Sequence, residues 1–141
     1  MDSQTAQKLA QMSRDVLCHS YSPYSSFPVG AALLCEDGSI YTGVNIETAT
    51  LLGLCAERCA YVKALSEGHR KFKAVAVSSN LTGACPPCGT CRQFMAEFGS
   101  DLTIIMVHKD LSYELETLSN LLPRSFTPDT LNSYTKQNGA H

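Results

Sequence analysis

No stretch of this sequence is apolar for long enough to span a bilayer. The opening residues, MDSQTAQKLAQMSRDVLCHS, lack the apolar core of a signal peptide, which makes the reducing cytoplasm the expected compartment. No block of lysine and arginine stands out, and the formal net charge is −2. A duplex nucleic-acid partner is therefore not expected, and a small polar substrate fits better. Internal repeats and linkers are also missing, so residues 1–141 read as one domain. With 44% hydrophobic and 17% charged residues, the chain can build a core without a disulfide or a metal to hold it together.

What the chain does have is cysteine, seven in all. In a reducing compartment these are metal ligands, catalytic groups or buried thiols rather than disulfides. Five of them fall in two short stretches about thirty residues apart, CAERC at 55–59 and CPPCGTC at 85–91.

Hydrophobic spacing supplies the frame around them. Ala6, Leu9, Ala10, Ser13, Val16 and Leu17 share one face of a helix over residues 3–20, with Asp2 or Ser3 as its cap. YSPYSSFPVG is a loop, and VGAALLCEDGSIYTGVNIE is two strands joined at EDG. TATLLGL is a short connection. A helix from Cys55 ends at Gly68, FKAVAVSSN is a strand, and GTCRQFMAEFG is another helix closed by Gly99. DLTIIMVH is a buried strand, KDLSYELE a short one, and TLSNLLP and TPDTLNSY short helices before a frayed polar tail, TKQNGAH. The expected architecture is three-layer α/β/α, a mixed five-stranded sheet with helices on both faces. Both cysteine clusters lie where a loop enters a helix, so two helix N-termini can converge at one end of the sheet.

Cys88 and Cys91 form C-x-x-C at a helix start, a spacing that lets two thiolates bind one metal ion. A helix N-terminus favours thiolate over thiol. A redox C-x-x-C is the rival, but it would usually follow the first strand of a thioredoxin-like domain, and this one comes late. Cys55 is the best third ligand, because it too opens a helix. Cys85 or Cys59 could close a four-cysteine structural site. Glu57 argues against closure, since a carboxylate in the first turn can reach an open metal position without ligating. Cys18 and Cys35 read as buried thiols.

Cys55-Ala56-Glu57 followed by Pro87-Cys88-Gly89-Thr90-Cys91 resembles the signature of the zinc-dependent cytidine deaminases. The likeness runs from about Tyr21 to Leu131 and includes YSPYSSFPVGAALL, GVNIE, CRQFMAEF and LLPRSFTPDTL. It implies one Zn²⁺ per subunit on Cys55, Cys88 and Cys91, in the small homotetrameric branch. It implies hydrolysis of cytidine or 2′-deoxycytidine to the uridine nucleoside and ammonia, with Glu57 shuttling protons. Three thiolates and hydroxide leave excess negative charge, which the helix N-termini and Arg58 would offset. The resemblance further implies that Asn45 and Glu47 bind the ribose, that Phe27 and the backbone of Ala56 lie against the base, and that Phe126 caps a neighbouring subunit's pocket.

The chain departs from that family where N-x-E-N-A-x-Y is usual, reading NIETATLLGLC, with Thr48 in place of the second Asn and no Tyr. A deaminase of a modified cytosine nucleoside such as blasticidin S is therefore an alternative, as is a non-enzymatic zinc-binding module.

Overall fold

The structure, a computed structural model, describes residues 1–138. Helix α1 (Ser3–Asp15) leads through a 3₁₀ turn (Val16–His19) to strands β1 (Val29–Cys35) and β2 (Ile40–Val44). Helix α2 (Ala56–Ser66), β3 (Phe72–Ser79), α3 (Gly89–Ala96), β4 (Thr103–Val107) and β5 (Tyr113–Thr117) follow, then α4 (Leu118–Leu121) and α5 (Pro128–Asn138). The five strands form one sheet in the order β2-β1-β3-β4-β5, with β3–β4 parallel and the other pairs antiparallel.

Alternation along the strands sorts side chains into two cores. Ala32, Leu34, Ala74, Ala76, Ile105 and Val107 pack under Ala6, Leu9 and Ala10 of α1. Ala31, Leu33, Val75, Ile104 and Met106 face Ala60, Tyr61 and Ala64 of α2 and Met95 and Ala96 of α3. The expected three-layer α/β/α arrangement with a mixed five-stranded sheet is the one observed.

Three expectations need correction. The first helix stops its α geometry at Asp15 and tightens into the 3₁₀ turn, so the face of Val16 and Leu17 is only partly covered. Cys18 lies in that turn and is exposed rather than buried, with its sulfur 3.4 Å from the Asp15 carbonyl. The tail does not fray at Thr135: α5 continues to Asn138, and Gly139 to His141 lie outside the described residues.

Strand direction places the site. β1 is antiparallel to both β2 and β3, so those two strands point the same way. Val44 at the end of β2 pairs with Gly30, and Ser79 at the end of β3 pairs with Val29. Each strand thus delivers its chain to the same end of the sheet, and each leads into a helix that opens on a cysteine. Gly43 lets α2 press close there: a Cβ at this position would sit 2.4 Å from the Ala56 carbonyl oxygen and 2.5 Å from the Ala60 nitrogen.

Candidate active site

Cys55 and Cys88 occupy the N-cap positions of α2 and α3, both in extended backbone. Cys91 lies one turn into α3 and is fully buried. One sulfur from each of the three lies within 4.8 Å of the other two. The Cys55 and Cys88 sulfurs are 3.8 Å apart. Two thiolates on a tetrahedral zinc, each at about 2.3 Å, would stand about 3.8 Å apart, so the donor set and its spacing fit that ion. Cys59 and Cys85 stand outside this group of three.

Cys55 is tuned toward the thiolate. A hydrogen bond from the Cys91 thiol, with further ones from Arg58 and Cys88, lowers its pKa to about 5 despite partial burial. The same hydrogen bond and burial push the Cys91 thiol up. Arg58 is not a solvated surface group: its Nη2 donates to the Cys55 sulfur at 3.4 Å. That contact holds the guanidinium still more firmly protonated. Its Nε is buried and without a partner of its own.

Glu57, in the first turn of α2, is only 4% exposed. Burial pushes its carboxyl up to about 7, and the charge on Cys55 adds to the rise. A carboxyl poised there can both take and give a proton near neutrality. It lines a small cavity of about 160 Å³ with Phe27, Ala56, Cys55, Cys88, Val77 and Cys85. Drug-sized pockets start at about 300 Å³, so this one suits a single heteroaromatic ring. A larger cleft of about 560 Å³ adjoins it, sharing Asn45 and Cys55, with Tyr24, Glu47, Thr48, Leu51 and Leu54 as further walls.

Asn45 and Glu47 also organise the entry loop. The Asn45 Oδ1 accepts from the Val29 amide at 2.9 Å and from the Ser20 hydroxyl, and its Nδ2 donates to the Phe27 carbonyl at 2.8 Å. Glu47 accepts from the Tyr24 and Ser25 amides, both at 3.0 Å, and from the Ser25 hydroxyl. The Ser25 bonds hold its carboxyl below the usual range. Phe126 does not join the cavity within its own chain: it is 58% exposed, and its carbonyl is held by the Gln93 side chain at 2.7 Å.

Arg92 escaped the reading of the sequence. Its Nε donates to the Pro87 carbonyl at 2.8 Å and its Nη1 to the Leu121 carbonyl at 2.9 Å, bracing the turn that carries Cys88. Nothing in CRQ distinguishes a brace from a surface arginine, because both acceptors are backbone.

The fold and site together define an α/β/α protein in which three converging thiols could hold a metal ion and a buried carboxyl lies beside them. A family model described as the cytidine and deoxycytidylate deaminase zinc-binding region matches residues 3–107. The chain is 44% identical over 133 residues to a cytidine deaminase of Sporosarcina psychrophila, covering 93% of this chain and 98% of that one. It is 44% identical over 134 residues to the cytidine deaminase of Halalkalibacterium halodurans, covering 94% and 99%. A crystal structure of cytidine deaminase from Burkholderia pseudomallei superposes with a TM-score of 0.82 at 36% identity, covering 89% of this chain and all of that one. The chain belongs to the cytidine and deoxycytidylate deaminase family.

Proposed function

We propose that this protein hydrolyses cytidine and 2′-deoxycytidine to uridine and 2′-deoxyuridine, releasing ammonia, a step of pyrimidine salvage. The observation that carries the reading is Glu57, buried within the small cavity beside three convergent thiols yet outside the ligand set. Cys55, Cys88 and Cys91 would hold one Zn²⁺ per subunit, which when bound supplies an acidified water as nucleophile.

The chain's own groups do the rest. The Glu57 carboxylate takes one proton from the attacking water and delivers it to ring N3; it then takes the second proton from the new hydroxyl at C4 and passes it to the departing amine, so the C4 carbonyl forms as ammonia leaves. Water adds and ammonia leaves, so the ring carbon exchanges nitrogen for oxygen with no change of oxidation state. Arg58 and the two helix N-termini balance the thiolate charge. Phe27 and Ala56 confine the base. The second amide hydrogen of Asn45 and the remaining lone pairs of Glu47 meet the ribose hydroxyl, which both donates and accepts.

Phe126 would close the pocket of a neighbouring subunit in a homotetramer. Exposed Tyr21, Tyr24, Leu51, Leu52, Leu131 and Tyr134 support such an assembly, as does an α5 helix that buries nothing in its own chain. Residues 1–141 would act as one domain in the cytoplasm. All seven cysteines are free, and among the described residues no helix is long and apolar enough to cross a membrane.

The cleft formed by Thr48, Leu51 and Leu54 favours one second reading, deamination of a modified cytosine nucleoside such as blasticidin S. Loss of cytosine-nucleoside absorbance on cytidine, deoxycytidine and blasticidin S at equal concentration tests both. Turnover of cytidine or deoxycytidine supports the first reading. Turnover of blasticidin S alone replaces it with the second, and inertness toward all three overturns both.

A further inference from the structure

The opposite end of the sheet holds a second cluster of metal-ligating side chains, which the deamination reading does not use. Cys35 ends β1, six residues from Val29 at the cavity, which is about 20 Å along an extended strand. The turn after it fixes Asp37: Oδ1 accepts from the Ser39 amide at 3.0 Å and from the Ser39 hydroxyl at 2.6 Å. His69 comes from another element. Its backbone amide donates to the Ala64 carbonyl at 3.1 Å, just past the end of α2, and its ring packs on Tyr41.

The proton arrangement leaves a gap for a cation. The Ser39 hydroxyl proton is spent on Asp37, so Ser39 can only accept from His69 Nε2, 3.4 Å away. On the other side of the ring Nδ1 faces Asp37 Oδ2 at 3.8 Å, beyond direct hydrogen-bond distance. That separation leaves room between the two atoms for a cation. The buried Cys35 sulfur stands beside them, and one donor atom from each of the three residues lies within 4.8 Å of the other two. The C-terminal end of α2 adds partial negative charge nearby. Ser39 meanwhile plays the part of an outer partner that sets the imidazole tautomer.

We propose that Cys35, Asp37 and His69 form a second site for a divalent transition metal such as zinc, with water completing four-coordination. Mixed sulfur, nitrogen and oxygen donors suit borderline ions of this kind rather than magnesium or calcium. Binding exchanges the thiol proton for the metal: Cys35–SH and M²⁺ give Cys35–S–M⁺ and H⁺. Tetrahedral donors stand about 3.3–3.6 Å apart, so the cluster contracts by no more than about 1.5 Å, which the exposed Asp37 side chain permits. The ion would clip the β1–β2 turn to the end of the helix that carries Cys55 and Glu57 at its other end.

Metal counting on the full chain in buffered zinc tests the assignment. Wild type should saturate at about two zinc ions per chain and His69→Ala at about one. Wild type and His69→Ala both saturating at about one overturns the site, whereas wild type at about one and His69→Ala at none keeps it and removes the ion from Cys55, Cys88 and Cys91. Retention of the second ion by His69→Ala overturns it as well. Thiolate involvement is read without mutating the core: cobalt(II) added to protein already holding one zinc should produce sulfur-to-cobalt charge-transfer absorption, and its absence overturns the role of Cys35. None of these counts depends on turnover, so they stand whether or not the protein deaminates cytosine nucleosides.

Discussion

The two ends of the sheet treat their cysteines differently. At one end Cys55 and Cys88 cap helix N-termini, Cys91 lies one turn further in, and an arginine donates to a sulfur. At the other, Cys35 sits at the close of a strand, beside the C-terminal end of α2. There burial pushes the thiol pKa up, and the charge of Asp37 adds to that rise. The same side chain is therefore tuned toward thiolate or toward thiol by what surrounds it. At the first end hydrogen bonds from Cys91, Arg58 and Cys88 favour the anion on Cys55. Lost hydration and a carboxylate disfavour the anion at the second until a cation arrives.

The largest effect should follow from breaking the first end at its acid–base group. Glu57→Ala is expected to cost about 10²–10⁴-fold or more in kcat while zinc content is kept, because in the proposed reaction the carboxylate moves protons and ligates nothing. Metal analysis beside a cytidine assay checks this, and loss of zinc together with activity would make Glu57 a ligand after all. Arg58→Gln should cost about 10–100-fold in zinc retention against a chelator, the usual scale for a group supporting a ligand. Zinc content and kcat both unchanged would remove Arg58 from the charge balance.

Gly43→Ala tests the packing that lets α2 aim Cys55 and Glu57. The added methyl meets backbone rather than a movable side chain, so a loss of about 1–3 kcal/mol in denaturant unfolding is expected. The smallest effect concerns Glu47. Its carboxyl titrates below the ordinary range in the folded protein, so its contribution is complete above the unfolded carboxylate pKa and disappears as pH falls through the folded one. Thermal melts of wild type and Glu47→Gln should differ at neutral pH and converge in acid. A gap independent of pH would mean that the loop bonds to Ser25 and Tyr24 do not depend on the charge.

Much of the frame was legible because it rests on local periodicity. The strands are short apolar runs bounded by turn residues, as at Val29–Cys35 before Glu36, Asp37 and Gly38, and the helices are punctuated by Gly68 and Gly99, both at positive φ. Cys18 was misread because helical spacing assumes that α geometry continues, whereas the chain tightens at Val16 and turns the thiol outward. Arg92 was invisible because its partners are carbonyls of Pro87 and Leu121, and no side-chain pattern records a backbone acceptor.

By itself the sequence determined the elements, the loop-to-helix position of both cysteine clusters, and the family signature, since all of these depend on residues near one another in the chain. The tertiary structure alone decided that β2 and β3 run the same way and bring Cys55 within 3.8 Å of Cys88. It also buried Glu57 until its carboxyl reached about 7, and carried His69 back to Asp37 and Cys35 across more than thirty residues. Desolvation and through-space approach are properties of packed elements, and they arise only when distant segments meet.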